Sequence, residues 1–87
     1  FISCVVAVDT QNCKVVAGPE IHARGFAEDD TIFDPVLALL KDGLEVALRE
    51  GMTDQMQLQQ LTRRIVGKWV NEAHRRKPMI VPVVIEA

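Results

Sequence analysis

The fold is decided by the first eight residues, FISCVVAV (1–8), which are nearly all apolar. Such a run is typical of a strand that is buried on both faces or that lies in the centre of a sheet. A polar turn (9–12) follows, and a second apolar run begins soon after it, so residues 2–18 predict a β-hairpin. We expect Asn12 to take a left-handed turn conformation. We expect Pro19 to end the second strand, because proline cannot donate to a ladder.

The next segment predicts a helix that starts near residue 31. Acidic residues precede it, Asp30 or Thr31 can serve as the N-cap, and Pro35 is tolerated only in a first turn. Gly51 is expected to end this helix. Its apolar positions share one helical face: Phe33, Val36, Leu37, Leu40, Leu44, Ala47 and Leu48.

A second helix is predicted from Asp54 to about Arg75, before Pro78. Asp54 and Gln57 have the spacing of a capping box. The apolar stripe that we expect to face the core contains Leu58, Leu61, Ile65 and Trp69, with Thr62 and Val66 alongside.

The third predicted strand runs from Met79 to Ile85 and is apolar on both faces. Pro82 places it at the edge of a sheet. The order is therefore β-β-α-α-β, and two long helices must bury their stripes against one sheet face. This pattern predicts an α+β fold, a two-layer sandwich of a three-stranded sheet and two helices, with strand order 2-1-3.

Composition is compatible with one modest core. The chain has 87 residues, 48% of them apolar, and a net charge of −2, which favours a single domain (1–87) and argues against disorder. No apolar run approaches the roughly 20 residues of a membrane span, and no signal peptide is recognisable. The opening without Met leads us to expect a fragment of a longer protein.

The charge is unevenly distributed along the chain. Residues 1–54 hold ten acids and four bases, whereas residues 55–87 hold two acids and six bases. That asymmetry permits an anionic partner, although cations near a helix C-terminus are also stabilised by the helix dipole, by about 0.3–1 kcal/mol each. The candidate contacts to RNA or to another subunit are Arg63, Arg64, Lys68, Arg75, Arg76 and Lys77.

No catalytic or metal-binding constellation is apparent in the sequence. His22 and His74 have no histidine or cysteine two to four residues away, and zinc sites need three or more convergent ligands. Cys4 and Cys13 lie far apart in the predicted hairpin, with Cys4 near residue 18, so both are expected to be reduced thiols. We therefore expect no catalytic residue, metal or cofactor in these 87 residues.

Two longer strings carry a family resemblance: VVAGPEIHARGF (15–26) and DQMQLQQLTRRIVGKWVNEAHRRKPMIVPVVIEA (54–87). Together they resemble the C-terminal domain of ribonuclease J, in its actinobacterial form, over essentially the whole chain. One departure is Cys13, which stands where the family usually has glycine.

The resemblance implies a cytoplasmic RNA-processing and RNA-degrading nuclease as the parent protein. Such nucleases combine 5′-to-3′ exonuclease and endonuclease activity on a zinc-dependent metallo-β-lactamase domain with a β-CASP insertion. The zinc ligands belong to upstream domains, so the resemblance implies a supporting and assembling role for this segment.

Two functions follow as hypotheses. The first is self-association, or packing against other domains of the parent nuclease, through the sheet face away from the helices. We expect that face to carry Val5, Ala7, Ile80 and Val84. The second is RNA binding through the basic stretch 63–77; no membrane partner is expected.

Overall fold

The structure, a computed structural model, describes residues 2–23 and 30–87. The strand β1 (Ile2–Asp9) lies between the other two strands, antiparallel to β2 (Lys14–Ala23) and parallel to β3 (Ile80–Glu86), which makes the sheet order β2-β1-β3. The predicted α+β class, element order and strand order are confirmed. The elements are β1 (Ile2–Asp9), β2 (Lys14–Ala23), α1 (Asp34–Arg49), α2 (Gln55–His74) and β3 (Ile80–Glu86).

The core lies between one face of the sheet and the two helices. Alternate residues of β1 point into it and are completely or almost completely buried: Ile2, Cys4, Val6 and Val8. The two helices lie next to each other, with α1 beside β2 and α2 beside β3. The central strand is therefore covered by both helices. Their buried contributions include Val36, Leu40, Leu44 and Leu48 from α1 and Leu58, Val66 and Val70 from α2.

The second strand does not end at Pro19, as the sequence predicts, but continues to Ala23. The register of its pairing shifts opposite Val5 and Ala7 of β1, so Gly18 and Pro19 are accommodated in an irregularity of the ladder. An edge strand tolerates this because bulges absorb an extra residue, and proline's missing N–H is acceptable at an edge. The prediction underestimated what an edge position allows.

The hairpin turn is organised by Asp9. Its carboxylate accepts hydrogen bonds from the backbone N–H groups of Gln11 at 2.9 Å and Asn12 at 3.1 Å, and from the Asn12 side-chain amide at 2.7 Å. The left-handed residue is Cys13, with a φ of +56°, and not Asn12 as predicted. Asn12 is instead held by its hydrogen bonds to Asp9.

The first helix begins later than predicted. A 3-10 turn covers Asp30–Phe33, and α1 starts at Asp34 with Phe33 as its N-cap residue and no side-chain cap. The expected cap by Asp30 or Thr31 is therefore wrong. Phe33 is buried in the core. The acidic residues 28–29 lie outside the described ranges, and the helix ends before Gly51 as expected.

The second helix is rotated from its predicted orientation. Asp54 is the N-cap, as expected, but its side chain accepts a hydrogen bond from the Met56 N–H at 3.0 Å and not from Gln57 as a capping box requires. Trp69 is only half-buried, and the centroid of its ring lies 5.8 Å from that of Phe33. The fully buried line contains Leu58, Thr62, Val66 and Val70. Of the predicted stripe, Leu61, Ile65 and Trp69 are half-buried.

Gly18 and Gly51 both have positive φ, +78° and +97°. A Cβ added at Gly18 would lie 3.0 Å from the carbonyl oxygen of Val5, whereas one at Gly51 would meet nothing within 4 Å. Gly51→Ala should cost about 1–2 kcal/mol of unfolding free energy from backbone conformation alone. Gly18→Ala should cost clearly more, because a backbone clash is added. Equal losses in urea unfolding would contradict this account of the bulge.

The hydrogen bonds from the Asn12 side chain and backbone lower the pKa of Asp9 below its ordinary value. Because the pKa of Asp9 is lower in the folded state, its carboxylate stabilises the hairpin at pH values above the pKa of the unfolded state. This stabilisation is lost as the pH falls through the folded-state pKa. The difference in unfolding free energy between this chain and Asp9→Ala should therefore be constant near neutrality and narrow below about pH 4. Urea unfolding at several pH values measures it; a difference that does not change with pH would contradict the prediction.

Candidate functional site

The solvent-facing side of α2 carries a row of basic and amide side chains. Arg64, Lys68 and Asn71 are exposed and lie opposite the buried line of the helix. Arg75 follows them as the C-cap residue, in a left-handed conformation with a φ of +53°. Arg76 and Lys77 come directly after it and are exposed. This row, together with Arg63, is called the basic face below.

Most cations of the basic face are not paired with acids. Within residues 2–23 and 30–87, no ion pair is formed by Arg63, Arg64, Lys68, Arg75 or Lys77. Glu45 of the neighbouring helix α1 accepts a hydrogen bond from the backbone N–H of Val15 at 3.0 Å. These charges are thus available to an external anion, such as a phosphate backbone.

Three cations of the basic face, Arg63, Arg64 and Lys68, line three different hollows. Arg63 points towards β3 and lines a hollow with Val81 and Pro82, whereas Lys68 lies on the α1 side of the helix near Trp69. These three cations therefore do not converge on one point. Such an arrangement suits contact with an extended polyanion better than recognition of a single phosphate or base.

The sheet face away from the helices is apolar and is not covered by the described residues. Val5 and Ala7 of β1 are half-buried there, next to Val83 and Ile85 of β3 in the parallel register. Val83 is 38% exposed and Ile85 is 50% exposed. This surface is called the outer sheet face below. A shallow hollow of about 180 Å³ lies in it, beside the irregularity at Gly18.

Two residues that the sequence assigns to the outer sheet face lie elsewhere. Ile80 and Val84 are 7% and 1% exposed and belong to the core. The reason is the register with β1: Ile80 is opposite Ile2 and Val84 is opposite Val6, and both partners point towards the helices. The outward-facing residues of β3, which the sequence reasoning missed, are Val81, Val83 and Ile85.

The histidines and cysteines form no reactive centre in the described ranges. The Nε2 atom of His22 lies 3.6 Å from Oε2 of Glu20, and both side chains are exposed on β2. His74 packs edge-on against Trp69, with ring centroids 5.1 Å apart. Both cysteines are free, and burial raises the pKa of the Cys4 thiol to about 11. Cys4 lies opposite Ile21, and not residue 18 as predicted. No group of three potential metal ligands is present among the described residues.

None of the described helices is long and apolar enough to cross a membrane. The structure thus defines a small α+β domain whose candidate sites, within the described residues, are two exposed surfaces: the basic face of α2 and the outer sheet face.

The chain belongs to the ribonuclease J C-terminal domain family, which it matches over residues 1–87. It is 41% identical over 86 residues to Ribonuclease J of Mycobacterium tuberculosis (strain CDC 1551 / Oshkosh). It is 40% identical over 86 residues to Ribonuclease J of Mycolicibacterium smegmatis, and 32% identical over 85 residues to Ribonuclease J 2 of Staphylococcus aureus (strain NCTC 8325 / PS 47). The predicted family is confirmed.

These matches cover 99%, 99% and 94% of this chain, respectively. They cover 15% of each relative, so the chain spans a small part of the length of the curated proteins that it matches. The activity, substrates and partners of a whole ribonuclease J are therefore considered for this chain only as proposals.

Proposed function

We propose that this chain is a non-catalytic part of a ribonuclease J, and that it supports the assembly and the activity of the nuclease through its outer sheet face. The observation that carries the proposal is the apolar character of that face. The family match and the names of its relatives support a ribonuclease J as the parent. That this parent processes and degrades RNA in the cytoplasm is part of the proposal.

We place the zinc chemistry of the proposed parent outside the described residues. A zinc centre needs three or more convergent nitrogen, sulfur or oxygen ligands. No such group exists among residues 2–23 and 30–87, so the described donor set does not fit the metal. We assign zinc, the metallo-β-lactamase fold and RNA hydrolysis to parts of the parent outside this segment.

The outer sheet face has the composition of an interface. Its centre is apolar, over β1 and β3, and its rim on β2 carries the exposed Glu20 and His22. An apolar centre with a polar rim is the usual anatomy of a protein–protein contact. Burial of the apolar part contributes about 25 cal/mol per Å², a term that salt does not screen.

The size of this face indicates weak association of the isolated chain. Two strands about 4.8 Å apart and seven residues long span on the order of 250 Å² in projection. Stable dimers bury about 800 Å² per partner. Tight assembly therefore requires further contacts from the remainder of the parent nuclease, and this chain supplies one component.

A second candidate function is RNA contact through the basic face. The supporting observation is that five of its six cations have no acidic partner within the described ranges. Because Arg63, Arg64 and Lys68 line separate hollows, such contact would involve the phosphate backbone and would be largely independent of base sequence.

For assembly, we expect self-association at high micromolar concentration that persists at high salt. Val83→Lys, which places a charge on the outer sheet face, should weaken it at least about tenfold, because burying an unpaired charge is costly. Leu39→Lys is the matched control, since Leu39 is an exposed apolar residue of α1. Sedimentation equilibrium measures both; a strict monomer, or a dimer that salt dissociates, would contradict the proposed interface.

For RNA contact, the double change Arg64→Ala/Lys68→Ala should weaken binding of a short single-stranded RNA. The slope of log K against log salt concentration should fall by about 1.4, from about 0.7 per lost phosphate contact. Lys41→Ala/Arg49→Ala removes the same charge from exposed positions of α1 and is the control. Equal slopes for the two variants in fluorescence anisotropy titrations would exclude the basic face as an RNA site.

A further inference from the structure

The outer edge of β3 is occupied by two side chains of α2. The Gln55 amide nitrogen donates a hydrogen bond to the Val84 carbonyl oxygen at 2.6 Å, and the Val84 N–H donates to the Gln59 side-chain oxygen at 3.3 Å. One glutamine acts as donor and the other as acceptor. Together they reproduce the pair of bonds that a neighbouring strand would make with Val84.

Pro82 removes the next possible bond along the same edge. The Met79 carbonyl oxygen accepts a hydrogen bond from the Ile2 N–H, and the Ala87 N–H donates one to the Val8 carbonyl oxygen. The backbone N–H and C=O groups of odd-numbered residues therefore point towards β1 in this ladder. Pro82, like Val84, has an even number, so its backbone groups point away from β1 towards the open edge. Its missing N–H therefore costs no bond within the sheet and leaves the open edge without a donor at that position.

The opposite edge has a related arrangement. The backbone N–H of Val15 on β2 donates to a carboxylate oxygen of Glu45 on α1 at 3.0 Å. Each helix thus extends a polar side chain over the edge of the strand beside it. Gln55 is exposed to water, so its bond to Val84 is not needed to satisfy a buried side chain. The same kind of contact is nevertheless made at both edges of the sheet.

The segment that these contacts protect is prone to edge pairing. Residues 80–85, IVPVVI, are uncharged, apolar and rich in β-branched side chains. Apart from Pro82, this segment has the composition that favours cross-β association at an open edge, and a proline or an occupied edge is the usual protection.

We propose that Gln55, Gln59 and Pro82 form an edge guard, in which side chains replace a neighbouring strand and prevent β3 from pairing with β3 of a second copy of this chain. The guard restricts association of the sheet to its outer face. This inference does not depend on the proposed function, because it concerns which contact is prevented.

The test compares Gln55→Ala/Gln59→Ala/Pro82→Thr with Gln57→Ala/Gln60→Ala/Pro82→Thr. Both carry the same substitutions of proline and of two glutamines on α2, but only the first removes the contacts to Val84. The first should form thioflavin-T-positive assemblies about tenfold faster or more, as the loss of competing hydrogen bonds allows. Equal rates in two folded variants would overturn the proposal.

A second measurement decides the matter if the triple variant does not fold. Amide hydrogen exchange at Val84 should be about tenfold faster in Gln59→Ala than in Gln60→Ala, because only Gln59 accepts its hydrogen bond. Unchanged exchange would overturn the guard. A finite dimer that does not bind thioflavin T is the product expected from association through the outer sheet face, whereas edge pairing of β3 gives thioflavin-positive assemblies. Failure of the proposed interface and failure of the edge guard are therefore distinguishable.

Discussion

Burial of one side of β1 beneath both helices is the interaction on which the rest of this domain depends. Each fully buried valine or isoleucine contributes about 1.5–3 kcal/mol, and a domain of this size has only about 5–15 kcal/mol of net stability. Ile2, Val6 and Val8 are such residues. Both outer strands pair with β1, and both helices are held over it by this row.

The same arrangement explains where the domain can meet a partner. With α1 beside β2 and α2 beside β3, polar side chains of the helices reach the strand edges at Val15 and Val84. At these points backbone pairing with another chain is opposed. The apolar outer sheet face and the basic face of α2 remain, and they differ physically: one depends on the exclusion of water, the other on unscreened charge.

Local signals predicted much of this structure because they act over a few residues. Asp54 caps α2 through a bond to a backbone N–H two residues away, and Gly51 follows the end of α1 with a positive φ. The cluster of cations was also readable from spacing. So was the family resemblance, since it depends on strings of residues and requires no three-dimensional information.

Long-range pairing decided the remainder. The third strand is apolar on both sides, so its sequence contains no signal for which side is buried, and a shift of one residue exchanges the two sides. Pairing of Ile80 with Ile2 turned Ile80 and Val84 inward and left Val83 outside. Likewise, α2 has apolar residues on two adjoining sides, and only contact with both α1 and the sheet placed Val66 in the core and Trp69 at its margin.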